Sequence, residues 1–125
     1  MSETNIASKI LLIVDSSVFI IERLVSMLEE IKNVEKVFTA TDYNAALEIL
    51  YSEHTDVVVL DIQMPGKNGI DLLKHIVYHF PETKVIVLSN LVSDFYKKLC
   101  KAEGAFHFID KSKDFDKIPE LILSI

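Results

Sequence analysis

Short apolar runs alternate with longer amphipathic stretches from one end of the chain to the other, and this alternation limits the choice of fold more than any other feature. The first run, residues 9–14, is continuous rather than alternating, which is typical of a strand that is covered on both faces. The second run contains Glu35 and Lys36 and suits the edge of a sheet. The predicted strands are residues 9–14, 34–40, 56–61, 84–89 and 106–110.

Between the strands, apolar residues recur at spacings of three and four, as on one face of a helix. In the first predicted helix this stripe consists of Val18, Ile21, Leu24, Val25, Leu28 and Ile31. Thr41 or Asp42 is expected to cap the second helix, and Gly104 to close the fourth. The third helix is expected to follow a turn at residues 64–69 and to end at Pro81. Strands and helices in this order predict an α/β fold, a doubly wound parallel sheet with helices on both faces.

Length and composition point to one globular domain spanning residues 1–125, of which 50% are hydrophobic. The single cysteine, Cys100, excludes an internal disulfide and fits a reducing cytoplasm. The net charge of −6 argues against nucleic acid or an anionic membrane as the main partner. We expect a cytoplasmic protein, since the sequence has neither the basic start of a signal peptide nor an apolar run long enough to span a membrane.

Polar residues stand where the predicted strands end. Asp15 follows the first strand and Asp61 ends the third, while Ser89 ends the fourth. Lys111 follows the fifth strand. Ligand sites of parallel sheets lie outside the carboxyl ends of the strands. The fold therefore brings two carboxylates, a hydroxyl and an ammonium group to one rim of the sheet.

This set of groups suits phosphoryl chemistry. Two adjacent carboxylates repel each other unless a cation lies between them. Mg²⁺ prefers hard oxygen ligands and keeps several waters, so it fits a site with two aspartates that is open to solvent. A metal ion and Lys111 around a carboxylate would neutralise charge during transfer of a phosphoryl group to that carboxylate. The hydroxyl of Ser89 could bind an oxygen of the attached phosphoryl group.

Four segments of the chain resemble the receiver domain of two-component response regulators. They are residues 10–17 (ILLIVDSS), 58–69 (VVLDIQMPGKNG), 87–89 (VLS) and 104–111 (GAFHFIDK). The resemblance covers essentially the whole chain, and residues 60–69 are its most specific part. It implies the flavodoxin-like receiver fold, with five parallel strands in the order 2-1-3-4-5 and five helices.

The resemblance also implies a role for each rim residue. Asp61 would accept a phosphoryl group from a sensor histidine kinase or a histidine phosphotransfer protein. Asp15, Asp61 and the backbone carbonyl of Gln63 would hold Mg²⁺, and Lys111 would contact the phosphoryl group. Ser89 would then move toward that group.

The movement of Ser89 would let Phe108 turn inward and change the face formed by helix four, strand five and helix five. A downstream protein would bind this face, and the resemblance allows a homodimer on phosphorylation. Such a domain is a phosphoacceptor that assists its own phosphorylation and dephosphorylation, and a regulated binding module more than an enzyme. On the same face, aromatic residues among lysines would mark a partner-binding patch if they are exposed. The residues concerned are Phe95, Tyr96, Lys97, Lys98, Lys101, Lys113 and Phe115.

Three residues depart from the family pattern. Ser16 stands where the family usually has a second metal-binding acid, and Asn90, where a small residue is usual, could narrow access to Asp61. Ser112 replaces the usual proline, so the peptide bond after Lys111 could be trans or a strained cis. Ser16 and Asn90 favour an alternative function, a receiver-like interaction module that works independently of phosphorylation.

Two other functions fit the residues less well. A phosphatase of the haloacid dehalogenase type would need a second acid two residues beyond Asp61, where this chain has Gln63. In a flavin-binding protein the loop after the first strand would bind phosphate, but residues 15–18 lack glycine and include an acid that would repel it. No output domain follows Ile125, so we expect the chain either to work alone or to be part of something longer.

Overall fold

The structure is a computed structural model that describes residues 8–64 and 69–125. Residues 65–68, which belong to the predicted turn and to the most specific part of the family resemblance, lie outside the described residues. Five parallel strands form one sheet in the order β2-β1-β3-β4-β5, which confirms the predicted order. The strands are β1 (Lys9–Val14), β2 (Val34–Ala40), β3 (Val57–Asp61), β4 (Lys84–Ser89) and β5 (His107–Asp110).

Five α-helices connect or follow the strands. They are α1 (Val18–Glu29), α2 (Tyr43–Ser52), α3 (Gly69–His79), α4 (Asp94–Ala102) and α5 (Ile118–Ser124), the last preceded by a short 3₁₀ helix (Phe115–Lys117). Asp42, rather than Thr41, caps α2, because its carboxylate accepts a hydrogen bond from the Ala45 N–H at 2.8 Å. Gly104 follows the end of α4 with a φ of +98°, a left-handed conformation that favours glycine.

The two faces of the sheet carry separate apolar clusters, because successive residues of a strand point to opposite sides. On the face of α2, α3 and α4, the central strands contribute Leu12, Val14, Val58, Leu60, Val85 and Val87. On the face of α1 and α5, they contribute Leu11, Ile13, Val57, Val59, Ile86 and Leu88. The continuously apolar runs therefore reflect strands buried on both sides, as predicted.

The predicted stripe of α1 is wrong at its two ends. Val18 is 57% exposed, because it lies in the first turn of the helix at the rim of the sheet. Ile31 lies beyond Glu29, the last residue of α1, although it packs against the apolar cluster on the face of α1 and α5. The middle of the stripe is confirmed, since Ile21, Leu24 and Leu28 are buried.

The described part of the chain has no helix that is both long and apolar enough to cross a membrane.

Gly69 begins α3 in close contact with the end of β3. A methyl carbon on Gly69 would lie 2.4 Å from the Ile62 Cα and 2.6 Å from the backbone oxygen of Asp61. The Gly69 N–H also donates to the Ile62 carbonyl at 3.1 Å. The approach of α3 to the rim therefore depends on the absence of a side chain at this position.

We expect Gly69→Ala to destabilise the fold by about 2 kcal/mol or more, because the backbone of β3 cannot yield to a methyl group as a flexible side chain could. Urea unfolding monitored by circular dichroism measures the change in the free energy of unfolding. Ser26→Ala, at an exposed position of α1, is the control and should change that free energy by less than about 0.5 kcal/mol. A Gly69→Ala protein as stable as the wild type would contradict this packing.

Candidate functional site

The predicted polar residues meet at the carboxyl rim of the sheet. Asp15 directly follows β1, Asp61 and Ser89 end β3 and β4, and Lys111 directly follows β5. Both aspartates are buried, with exposed fractions of 1% for Asp15 and 4% for Asp61. The strand register holds them together, because β1 pairs with β3 and the pairs include Val14 with Leu60.

A single ammonium group bridges the two carboxylates. Lys111 Nζ lies 2.7 Å from Asp15 Oδ2 and 3.3 Å from Asp61 Oδ2, and it donates a hydrogen bond to each. The Lys111 side chain is itself largely buried. One positive charge is therefore shared between two carboxylates from which water is largely excluded.

The second oxygen of each carboxylate accepts a hydrogen bond from a backbone N–H two residues later. Asp15 Oδ1 accepts from the Ser17 N–H at 2.8 Å, and Asp61 Oδ1 accepts from the Gln63 N–H at 2.9 Å. Ser17 is also the N-cap of α1, with its hydroxyl accepting from the Ile20 N–H at 3.3 Å, so neither Asp15 nor Ser16 caps the helix. Both carboxylates are thus held so that one oxygen faces Lys111.

Burial raises the pKa of Asp61 above its ordinary value, because desolvation penalises the charged carboxylate. The Gln63 N–H and the positive charge of Lys111 lower the pKa and oppose this effect, while the negative charge of Asp15 adds to it. Asp61 is thus a carboxylate of raised basicity with the Lys111 ammonium group at hydrogen-bond distance. Such a carboxylate is suited to act as a nucleophile in a reaction that brings negative charge next to the ammonium group.

The donor set fits a hydrated Mg²⁺ ion. Asp15 and Asp61 supply hard anionic oxygens of the kind that Mg²⁺ uses once or twice per site, and the Lys111 ammonium group lies between their Oδ2 atoms. No group of three or more His, Cys, Asp or Glu residues in the described ranges is arranged to hold a metal ion. A metal ion at this rim would therefore be bound by two carboxylates, and water and carbonyl oxygens would complete its ligand set.

Ser89 is buried at the same rim, but its hydroxyl is bonded within its own loop. The Ser89 Oγ accepts a hydrogen bond from the Leu91 N–H at 2.9 Å. The backbone carbonyl of Ser89 accepts from the Lys111 N–H at 2.9 Å, which joins the ends of β4 and β5. Phe108, on β5, is half-buried and packs against the apolar cluster on the face of α2, α3 and α4.

The other two departures from the family pattern contact each other. The Ser112 hydroxyl and Asn90 Oδ1 are 2.9 Å apart and hydrogen-bonded. The peptide bond between Lys111 and Ser112 is trans, since the described residues contain no cis peptide bond. Each position could be singled out in the sequence, but their contact could not, because it depends on the register of β4 and β5.

The aromatic residues of the predicted patch differ in exposure. Phe95 is 67% exposed on α4 and lies near Tyr96, with ring centroids 5.2 Å apart. Phe115 is buried instead of exposed, because it packs against α1 and α5 and its ring is covered by the guanidinium of Arg23 at 4.2 Å. The exposed aromatic surface of this face therefore lies on α4 and not at the start of α5.

Comparisons with known proteins, by sequence and by structure, agree with one another. A protein-glutamate methylesterase/protein-glutamine glutaminase 2 of Nitratidesulfovibrio vulgaris is 36% identical over 101 residues, which cover 79% of this chain and 27% of that protein. In the first three curated relatives, the matched segment covers 27%, 41% and 32% of the relative's length.

Two solved structures match almost the whole chain. The Francisella response regulator 1452 receiver domain has a TM-score of 0.83 and 28% identity, with coverage of 93% of this chain and 96% of that one. The response regulator domain of Thermotoga maritima CheB has a TM-score of 0.81 and 30% identity, with coverage of 94% and 92%. A family model described as the response regulator receiver domain matches residues 11–123. Because this match extends over nearly the entire chain and the fold agrees with it, the chain belongs to the response regulator receiver domain family.

Proposed function

We propose that this receiver domain accepts a phosphoryl group on Asp61 and transmits the change through a protein-binding face. The observation that carries the proposal is the buried Asp61 carboxylate, whose Oδ2 lies 3.3 Å from the ammonium group of Lys111 and whose neighbour Asp15 shares that ammonium group. The donor would be a sensor histidine kinase or a histidine phosphotransfer protein. A cytoplasmic location is part of the same proposal.

In the transfer, an oxygen of Asp61 attacks the phosphorus of the phosphohistidine. A P–O bond to the aspartate forms as the P–N bond breaks, and the imidazole leaves with the electron pair of that bond. Lys111 neutralises negative charge on the phosphoryl oxygens, since it already donates to Asp61. When bound, Mg²⁺ would supply further charge neutralisation, held by Asp15, Asp61 and the carbonyl of Gln63.

Phosphorylation would change the loop after β4. Ser89 Oγ now accepts a hydrogen bond from the Leu91 N–H, and a phosphoryl oxygen on Asp61 offers its hydroxyl a charged acceptor instead. We propose that Ser89 turns toward that oxygen and that Phe108 moves further inward. The face formed by α4, β5 and α5 then changes and binds a downstream protein or a second copy of the domain.

An interaction module that works without phosphorylation is the second candidate. It is favoured by Ser16, which gives the rim one carboxylate fewer than the family usually has. It is also favoured by the short contact between Lys111 and Asp15, in which a protein group compensates one of the two acids without a metal ion. The two candidates differ in what they require of Mg²⁺, and the following experiments separate them.

The first experiment is the intact mass of the protein after incubation with acetyl phosphate, with and without Mg²⁺. We expect a gain of one phosphoryl group that depends on Mg²⁺ and disappears in Asp61→Asn, because the amide is not a nucleophile of comparable strength. Asp94→Asn, which removes an exposed aspartate on α4, should be phosphorylated like the wild type. No gain in mass, together with no Mg²⁺ binding to the folded protein, would support the interaction module.

The second prediction concerns the ammonium group of Lys111. Lys111→Ala should slow phosphorylation by acetyl phosphate at least about tenfold, because it removes a donor fixed at the position where charge develops. Lys113→Ala removes an exposed lysine two residues away and should leave the rate within about twofold of the wild type. Equal rates for the two variants would mean that the ammonium group at the rim takes no part in the reaction.

The third prediction concerns the missing acid. Ser16→Asp adds a carboxylate beside Asp15 and should tighten Mg²⁺ binding, measured by calorimetry with Mg²⁺ alone, by about tenfold. Asn44→Asp adds the same charge at an exposed position of α2 and should leave the affinity unchanged. If Ser16→Asp binds Mg²⁺ no better than Asn44→Asp, residue 16 does not contribute to the metal site.

A further inference from the structure

Two residues that distinguish this chain from its family pattern are joined by a hydrogen bond next to the proposed phosphorylation site. Asn90 follows Ser89, the last residue of β4, and Ser112 lies two residues beyond Asp110, the last residue of β5. Ser89 and Asp110 are paired in the sheet. The bond of 2.9 Å between the Ser112 hydroxyl and Asn90 Oδ1 therefore continues the link between the two strands beyond their ends.

Other hydrogen bonds hold the loop after β5 on both sides of Lys111. Its own N–H donates to the Ser89 carbonyl at 2.9 Å. On its other side, the N–H groups of Ser112 and Lys113 donate to Asp110 Oδ1 at 2.9 Å and 3.2 Å. The contact between Asn90 and Ser112 is a second tie between this loop and the loop after β4.

We propose that Asn90 and Ser112 form a clasp that fixes the backbone around Lys111 and thereby positions its ammonium group between Asp15 and Asp61. A proline at residue 112 would restrict this backbone through its ring, whereas a serine in a trans peptide does not. The clasp supplies the missing restriction with a hydrogen bond between side chains. Asn90 and Ser112 are positioning residues that act through Lys111, and the consequence for phosphoryl transfer rests on the proposed function.

The clasp also connects the lysine to the serine that would move after phosphorylation. Asn90 is the residue between Ser89 and Leu91, whose internal hydrogen bond that movement would break. A change at Ser89 is therefore transmitted to Ser112 through one side-chain contact. Since both clasp residues are exposed and water competes for the bond, the effect on rate is modest.

A double-mutant cycle on the rate of phosphorylation by acetyl phosphate tests the clasp. Ser112→Ala should slow the reaction about two- to fivefold in the wild-type background and should have no effect in the Asn90→Ala background. This design separates the clasp from any effect of Asn90 on access to Asp61, because the access effect is the same with either residue at position 112. Ser112→Thr keeps the hydroxyl and should restore the rate, and Ser124→Ala removes an exposed hydroxyl on α5 as a control. Equal slowing in both backgrounds, or none in either, would overturn the proposal.

Amide hydrogen exchange in the unphosphorylated protein tests the positioning step without the reaction. Asn90→Ala leaves residues 111–113 unchanged, and it should speed exchange of their N–H groups relative to the wild type. Unchanged exchange would overturn the clasp whether or not the protein is phosphorylated. If the wild type takes no phosphoryl group but exchange increases in Asn90→Ala, the proposed function fails while the clasp stands as a constraint on the loop.

Discussion

Burial of the three central strands on both faces determines where the reactive groups lie. The side chains of β1, β3 and β4 are almost all enclosed between two layers of helices, so a polar side chain within these strands would lack solvent. The buried residues of each strand are therefore apolar up to the carboxyl rim, where the buried polar side chains of Asp15, Asp61 and Ser89 lie together. Parallel pairing brings these ends to the same edge. The chemistry of the site is thus a consequence of how the core is built.

The four strand ends at the site share one local geometry. Asp15, Asp61 and Asp110 each accept a hydrogen bond from the N–H two residues later, at 2.8, 2.9 and 2.9 Å. Ser89 does the same with the Leu91 N–H at 2.9 Å. Such local bonds turn the chain out of the strand and leave the polar side chain pointing along the rim. The remaining oxygen of each buried carboxylate is then free to face Lys111, whose single positive charge is shared by the two.

Much of this arrangement could be predicted from the sequence, because it depends on patterns that are local in the chain. The apolar runs and the residues that end them predicted β1, β2 and β4 residue for residue and the set of residues at the rim. The failures involve contacts between distant segments. Phe115 is buried because it packs against α1 and α5 with Arg23 over its ring, and no periodicity around residue 115 indicates this. The contact of Asn90 with Ser112 requires the register of two strands and the path of two loops.

The two edges of the sheet have a consequence for behaviour at high concentration. An unpaired strand edge invites another chain to add to it, and the resulting stacks lead toward aggregation. On β2 the exposed charges of Glu35 and Lys36 oppose such addition, and β5 extends only from His107 to Asp110. Both edges are thus protected from indiscriminate pairing with the strands of other copies, while the helical faces stay available for specific contacts.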